Sequence, residues 1–291
     1  MSRPFPQFSG ALQQYGRNDS WIKYNSLQIN YNWRSRRGVT LLANYTLSKQ
    51  MEEWGLNDPY TNTYQQGLYL LDRPQVLKGT VVWELPFGRG KRLGSNARGF
   101  VDKLISGWEY TTFLLEPLKG YPTNLASNVI PLKDPQTPGG TFSGKPDWKG
   151  YQVRGWNPCV LRQDNNTGVI SPTPASLGLG CGADYSNNWG NYVWLQTANY
   201  APRYTPYRSG QIRRHQAVQM DISILKRTKI TERTSFQFGF EAFNFLNHNY
   251  FGRDNFNTDP NSAAFGSVFP STVSTQNMMP RQIQVRLKFY W

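Results

Sequence analysis

The last ten residues, 282–291, read QIQVRLKFYW. Ile283, Val285, Leu287, Phe289 and Trp291 alternate without a break against Gln282, Gln284, Arg286, Lys288 and Tyr290. Successive side chains of an extended chain point to opposite faces, so this stretch is a strand with one apolar and one polar face. Alternation alone allows two settings, a strand over the dry core of a soluble sheet or one whose apolar face meets lipid. Ten residues at about 3.3 Å each match the reach of a tilted strand across a bilayer. The final aromatic falls where an interfacial girdle sits.

The same period recurs upstream. Leu27, Ile29, Tyr31 and Trp33 oppose Ser26, Gln28, Asn30 and Asn32; after the turn RSRRG, Val39, Leu41, Ala43, Tyr45 and Leu47 oppose Thr40, Asn44, Thr46 and Ser48. A third strand is predicted from about residue 76 to 85, and a fourth over 108–115, weaker because both of its faces are apolar in places. Val218, Met220, Ile222 and Ile224 then alternate with Gln219, Asp221 and Ser223; past the tight turn KITER, Phe236, Phe238, Phe240 and Ala242 alternate with Ser235, Gln237, Gly239 and Glu241. A single helical turn is expected around 101–105.

The connections are unequal. Counted back from the C-terminus, long stretches (about 247–281, 120–215 and 49–72) alternate with short turns, with one medium link at 86–107. Transmembrane barrels have this arrangement, with short periplasmic turns and long extracellular loops. Seven strands is an odd number, whereas bacterial single-chain barrels have even counts. The predicted fold is therefore all-β: an antiparallel up-and-down transmembrane β-barrel, partial, with about seven strands of a larger barrel. Residues 1–291 are expected to form a single segment of that barrel, with one large extracellular loop at about 120–215.

Composition excludes other classes. With a mean hydropathy of −0.61 and no apolar run near the ~18 residues of a spanning helix, a helical membrane protein is ruled out. A barrel is not, because only every second strand residue meets lipid. Ten Trp and 17 Tyr suit interface girdles and sugar-facing loops. The net charge of +14 raises nucleic acid as a partner, but no recognition module is present. The basic residues gather in turns, Arg34, Arg36 and Arg37 in one and Arg89, Lys91, Arg92 and Arg98 in another. They read as solvated turn charge, and no nucleic-acid partner is expected.

No catalytic site is expected, nor any cofactor. GRGKR lacks the Gly-Lys-Ser/Thr of a phosphate loop, and Asp134, Asp147, Asp164 and Asp184 read as solvated loop charge. Only His215 and His248 offer imidazole, neither at ligand spacing, so no metal site is expected. Cys159 and Cys181 share a Gly/Pro/Asn-rich segment; an oxidising compartment allows one loop-closing disulfide, and two free thiols are the alternative. Residues 1–22 lack the apolar region of an export signal. Either Met1 is internal to a longer protein or the barrel reading fails.

Six segments carry a resemblance: YNSLQ, RGVTLLANYTLSK, WELPFGRGKR, GWEYTTF, FGFEAFNFLNHNYFG and PRQIQVRLKFYW. Their order resembles that near the end of the Oar-like family, TonB-dependent transporter-like outer-membrane proteins that are abundant in Acidobacteria and carry a carboxypeptidase-regulatory-like N-terminal domain. The resemblance spans nearly the whole chain and weakens between about 131 and 192. It implies a barrel of about 22 strands around an internal plug. It also implies a Gram-negative outer-membrane location, lipid as a partner, and a barrel-assembly machinery that recognises Ile283, Val285, Leu287, Phe289 and Trp291. Plug, TonB box and N-terminal domains are missing from this sequence, so the TonB complex is expected to act only through upstream parts. The chain alone is not expected to transport.

The expected role is uptake or binding of a bulky substrate, such as a carbohydrate or peptide. Trp148, Trp156, Trp189, Tyr192 and Trp194 of the large loop are the candidate contacts. The alternative is a secreted soluble β-sandwich that binds glycans through the same aromatics.

Overall fold

A computed structural model describes residues 20–58, 63–126, 128–147, 153–199, 201, 203–215, 218–248, 256–268 and 280–291. Seven long strands carry the fold: β1 (Ile22–Arg34), β2 (Val39–Asp58), β3 (Gln75–Glu84), β4 (Trp108–Pro117), β5 (Gln219–Lys229), β6 (Ser235–Phe243) and β7 (Gln282–Tyr290). Each pairs antiparallel with the next in the chain, an up-and-down meander. Among the described residues β1 pairs only with β2 and β7 only with β6, so the sheet is open.

The seven strands stand where the alternation predicts them. The turn after β1 closes on Gly38, whose φ of +78° suits a residue without Cβ, and the amide of Ser35 donates to the carbonyl of Val39 at 2.8 Å. One expectation changes. Most described residues of the stretch 49–72 are strand rather than irregular loop: β2 runs on to Asp58, and a short strand, Thr63–Leu68, pairs back on it.

Two rows of residues cross the whole sheet and show its polarity. One is Trp33, Leu41, Val81, Thr112, Ile222, Ala242 and Ile283, apolar except for Thr112. One residue away on every strand runs Arg34, Thr40, Val82, Thr111, Ser223, Glu241 and Gln284. A period of two turns that single step into a change of face.

The fully buried large side chains lie elsewhere. They belong to a module built from the large loop together with part of the next one, and they include Trp156, Trp194, Tyr192, Phe265 and Leu161. A four-stranded sheet (Ile170–Pro172, Val160–Gln163, Trp194–Gln196, Val129–Pro131) forms its centre. Pro122–Asn124 pairs with Arg208–Arg213, and Val153–Arg154 pairs with Ser267–Val268 of the next loop. The two outer loops therefore fold together. The described residues also form two short helices, α1 (Gly99–Ile105) in the link after β3 and α2 (Pro174–Gly178) in the module.

Candidate functional site

The chain presents three surfaces with distinct chemistry. The first is the apolar face of the sheet. Phe236, Phe238 and Phe240 stand opposite Phe289, Leu287 and Val285, and Leu27, Ile29 and Tyr31 opposite Leu47, Tyr45 and Ala43. On the edge strands these side chains are bare, with Ile29 53% and Leu287 64% exposed. Aromatics collect on this face at the end that carries the short turns. Trp83 faces Tyr110 across the β3–β4 pair, Trp33 lies one residue from the end of β1, and the rings of Phe289 and Trp291 are 6.4 Å apart. Lys226 opposes Trp108; its Nζ lies 5.0 Å from the ring centre and donates to the Ser106 carbonyl at 2.7 Å.

The second surface is the polar face. Glu241 and Arg286, both placed on the polar face by the alternation, pair at 3.0 Å. The Tyr290 hydroxyl donates to Gln237 Oε1 at 2.9 Å, the Asn44 amide donates to Asn30 Oδ1, and Asp221 Oδ1 accepts the Asn244 amide at 2.8 Å. Glu84 pairs with Lys91 of the following link at 3.3 Å.

The third surface is the module, fixed to the long-loop end by arginines that the sequence reading did not single out. Arg208 forms an ion pair with Glu52 of β2 and donates to the Leu68 carbonyl at 3.0 Å and to Asn124 Oδ1 at 3.1 Å. Burial lowers the pKa of its guanidinium. Arg213 pairs with Asp72 at 2.9 Å and also donates to the Gly120 carbonyl at 3.0 Å. Gln65 donates to the Thr205 carbonyl at 2.9 Å. Arginine suits this task because its five fixed donors bridge a carboxylate and several carbonyls at once.

The structure corrects the aromatic contacts expected of the loop. Trp156, Tyr192 and Trp194 are 0% exposed. Trp156 stacks 4.8 Å from Phe256 and meets Phe265 edge-on at 5.8 Å; Trp194 meets Phe265 in the same way and donates from its indole to the Asn157 carbonyl at 2.8 Å. Burial raises the Tyr192 phenol, which donates to the Gly182 carbonyl. Trp189 is half-buried against the same cluster as Tyr192, and Trp148 lies outside the described residues. Trp156, Trp189, Tyr192 and Trp194 thus pack within the module, and the three fully buried rings present no open platform. Tyr204 is the most exposed aromatic of the module among the described residues.

Cys159 and Cys181 are joined by a disulfide within the module. His215 and His248, from the two outer loops, lie near each other at the end of the sheet. Burial, and then the neighbouring His248, lower His215 to about 4. Asp164 and Asp184 are exposed and lowered by hydrogen bonds from the Asn166–Thr167 and Ser186 groups of their own turns. Among the described residues no three metal-ligand side chains gather. No helix among them is long and apolar enough to cross a membrane, which says nothing against crossing by strands.

A family model described as an outer membrane beta barrel domain matches residues 1–284. Comparison with curated proteins and with solved structures returned no match.

Proposed function

The chain belongs to the outer membrane beta barrel domain family, and from that premise we propose that its sheet is one wall of a larger, TonB-dependent transporter barrel whose outer module meets a bulky carbohydrate or peptide. The observation that carries this reading is the open sheet with a continuous apolar face. In hydrocarbon each unsatisfied backbone group costs several kcal/mol, so a spanning sheet must close. Among the described residues the first and last of the seven long strands do not pair with each other, which calls for further strands to close the wall. The TonB complex acts on this chain only through an upstream plug.

Five of the seven strands have 9 to 11 residues, the length of a tilted crossing strand. The short turns then face the periplasm and the module faces outside, in an outer membrane of the Gram-negative type. The apolar residues of β7, with Trp291, serve the barrel-assembly machinery. The soluble sandwich fits poorly, because it needs a second sheet over the face that bears Leu27, Ile29, Val285 and Leu287, all of which are exposed.

Blotting fractionated envelopes with an antibody to residues 145–199 tests the proposal. Outer-membrane recovery, in a band larger than 33.4 kDa, is the expected result. A band of 33.4 kDa in a soluble fraction overturns it.

A further inference from the structure

The link between β3 and β4 is a folded unit. The amide of Arg89 donates to Asp102 Oδ1 at 2.8 Å, and a Cβ on Gly88 would lie 2.4 Å from that of Ser106, so the chain returns tightly on itself. Helix α1 closes the unit with an unusual exposure: Phe100, Val101 and Leu104 are 78%, 57% and 57% exposed. Their i, i+1, i+4 spacing puts them on one side of the helix. No described residue covers them.

The helix sits on the lipid side of the wall. Its Leu104 carbonyl accepts the indole of Trp108 at 3.2 Å, and the Ser106 carbonyl accepts Lys226 Nζ. Trp108 and Lys226 stand opposite each other and in register with Phe238 and Leu287 of the apolar face. The exposed helix face thus continues the aromatic girdle. Around it, residues 86–107 hold five basic residues, Arg89, Lys91, Arg92, Arg98 and Lys103, against one acid, Asp102. All five are exposed, and Lys91 is also paired with Glu84. Two more arginines, Arg36 and Arg37, lie in the turn after β1 at the same end.

We propose that α1 is an in-plane anchor that seats Phe100, Val101 and Leu104 in the periplasmic leaflet while the surrounding Arg and Lys side chains bind anionic phospholipid headgroups. Apolar side chains on one side with cations around them describe a helix that lies in an interface. Each basic residue near an anionic surface contributes roughly a fivefold preference. The inference rests on the sheet's being in the bilayer.

The two readings separate in one experiment. Both cysteines are bonded, so a single introduced thiol takes a fluorophore selectively. Full-length chains carrying Leu104→Cys or Leu287→Cys are inserted in phosphatidylcholine vesicles with or without phosphatidylglycerol, and a lipid-borne quencher is added. The Leu287→Cys label is expected to be quenched in both membranes. The Leu104→Cys label is expected to be quenched more strongly with phosphatidylglycerol, and R98E/K103E returns it to the neutral-vesicle level. Quenching at Leu287→Cys with an aqueous signal at Leu104→Cys in both membranes overturns the anchor. So does shielding of Leu104→Cys that grows with protein concentration, which marks a second copy as the occupant. An unquenched Leu287→Cys label removes the membrane placement itself, and the anchor with it.

Discussion

Arg208 of the outer module and Glu52 of strand β2 form an ion pair in which the two side chains are only 8% and 10% exposed. Arg208→Met leaves the Glu52 carboxylate without its charge partner where little water reaches it, a loss of about 3–5 kcal/mol. The module should then loosen from the sheet. Hydrogen exchange is expected to accelerate in residues 63–68 and 208–213 while β5 to β7 stay protected. The double variant R208M/E52L should recover most of the protection, since apolar pairs of similar volume often replace buried ions without loss. Unchanged exchange in Arg208→Met contradicts a docking role.

The disulfide spans 22 residues inside the module. Its loss, by reduction or in C159A/C181A, removes about 3 kcal/mol by the loop-closure argument. The module's melting, followed by tryptophan emission, is expected to fall while the sheet's far-UV signal holds. A joint collapse of both signals would mean that module and sheet are one cooperative unit.

Trp156→Ala opens a cavity between Phe256 and Phe265 and should cost the module about 3–5 kcal/mol. Gly266→Ala strikes the same ring, because its Cβ would lie 2.8 Å from the indole nitrogen at a φ of +76°. Tyr204→Ala belongs to another class. In saccharide titrations below the melting range, it is expected to weaken binding with no change in melting, whereas Trp156→Ala lowers melting and spares binding. The reverse assignment would return the buried tryptophans to the ligand.

His215 makes the loop–sheet junction sensitive to acid. Burial, and then His248, hold its pKa at about 4, against the ordinary 6.5, so the folded state prefers the neutral ring. The contribution is complete above about pH 6.5 and declines as pH falls toward 4. Exchange in residues 208–215 should speed up through that window. His215→Gln should flatten the dependence; an unchanged slope would place the titration elsewhere.

All seven long strands were legible because period two is a local signal that survives over nine residues or more. The fourth was the weakest, since Phe113 and Leu115 sit on the polar face opposite Thr80 and Lys78. The shared polar face of Glu241 and Arg286 was legible for the same reason, but not that these two would pair, since the period gives the face and not the register between strands. The interior of the module was not. Its strands have two to six residues, too few to show a period. Its core joins Trp156 to Phe265 and Val153 to Val268, contacts across more than a hundred positions that no local pattern announces. Aromatics among Gly, Pro and Asn therefore resembled an open binding platform when they were the dry centre of a folded unit. The extension of β2 was hidden by the polar run through Lys49, Gln50, Glu52 and Glu53, which is paired in part with Thr63–Leu68 beyond the apolar band.

The most direct test of the account is a nitroxide scan of β7 in outer membranes, placing one label at a time on residues 283–289. Lipid-soluble oxygen should reach the labels at 283, 285, 287 and 289, and a water-soluble nickel chelate those at 284, 286 and 288. That alternation is the signature of a wall with lipid on one side and water on the other. Equal access of the chelate to both sets would contradict a membrane-spanning sheet.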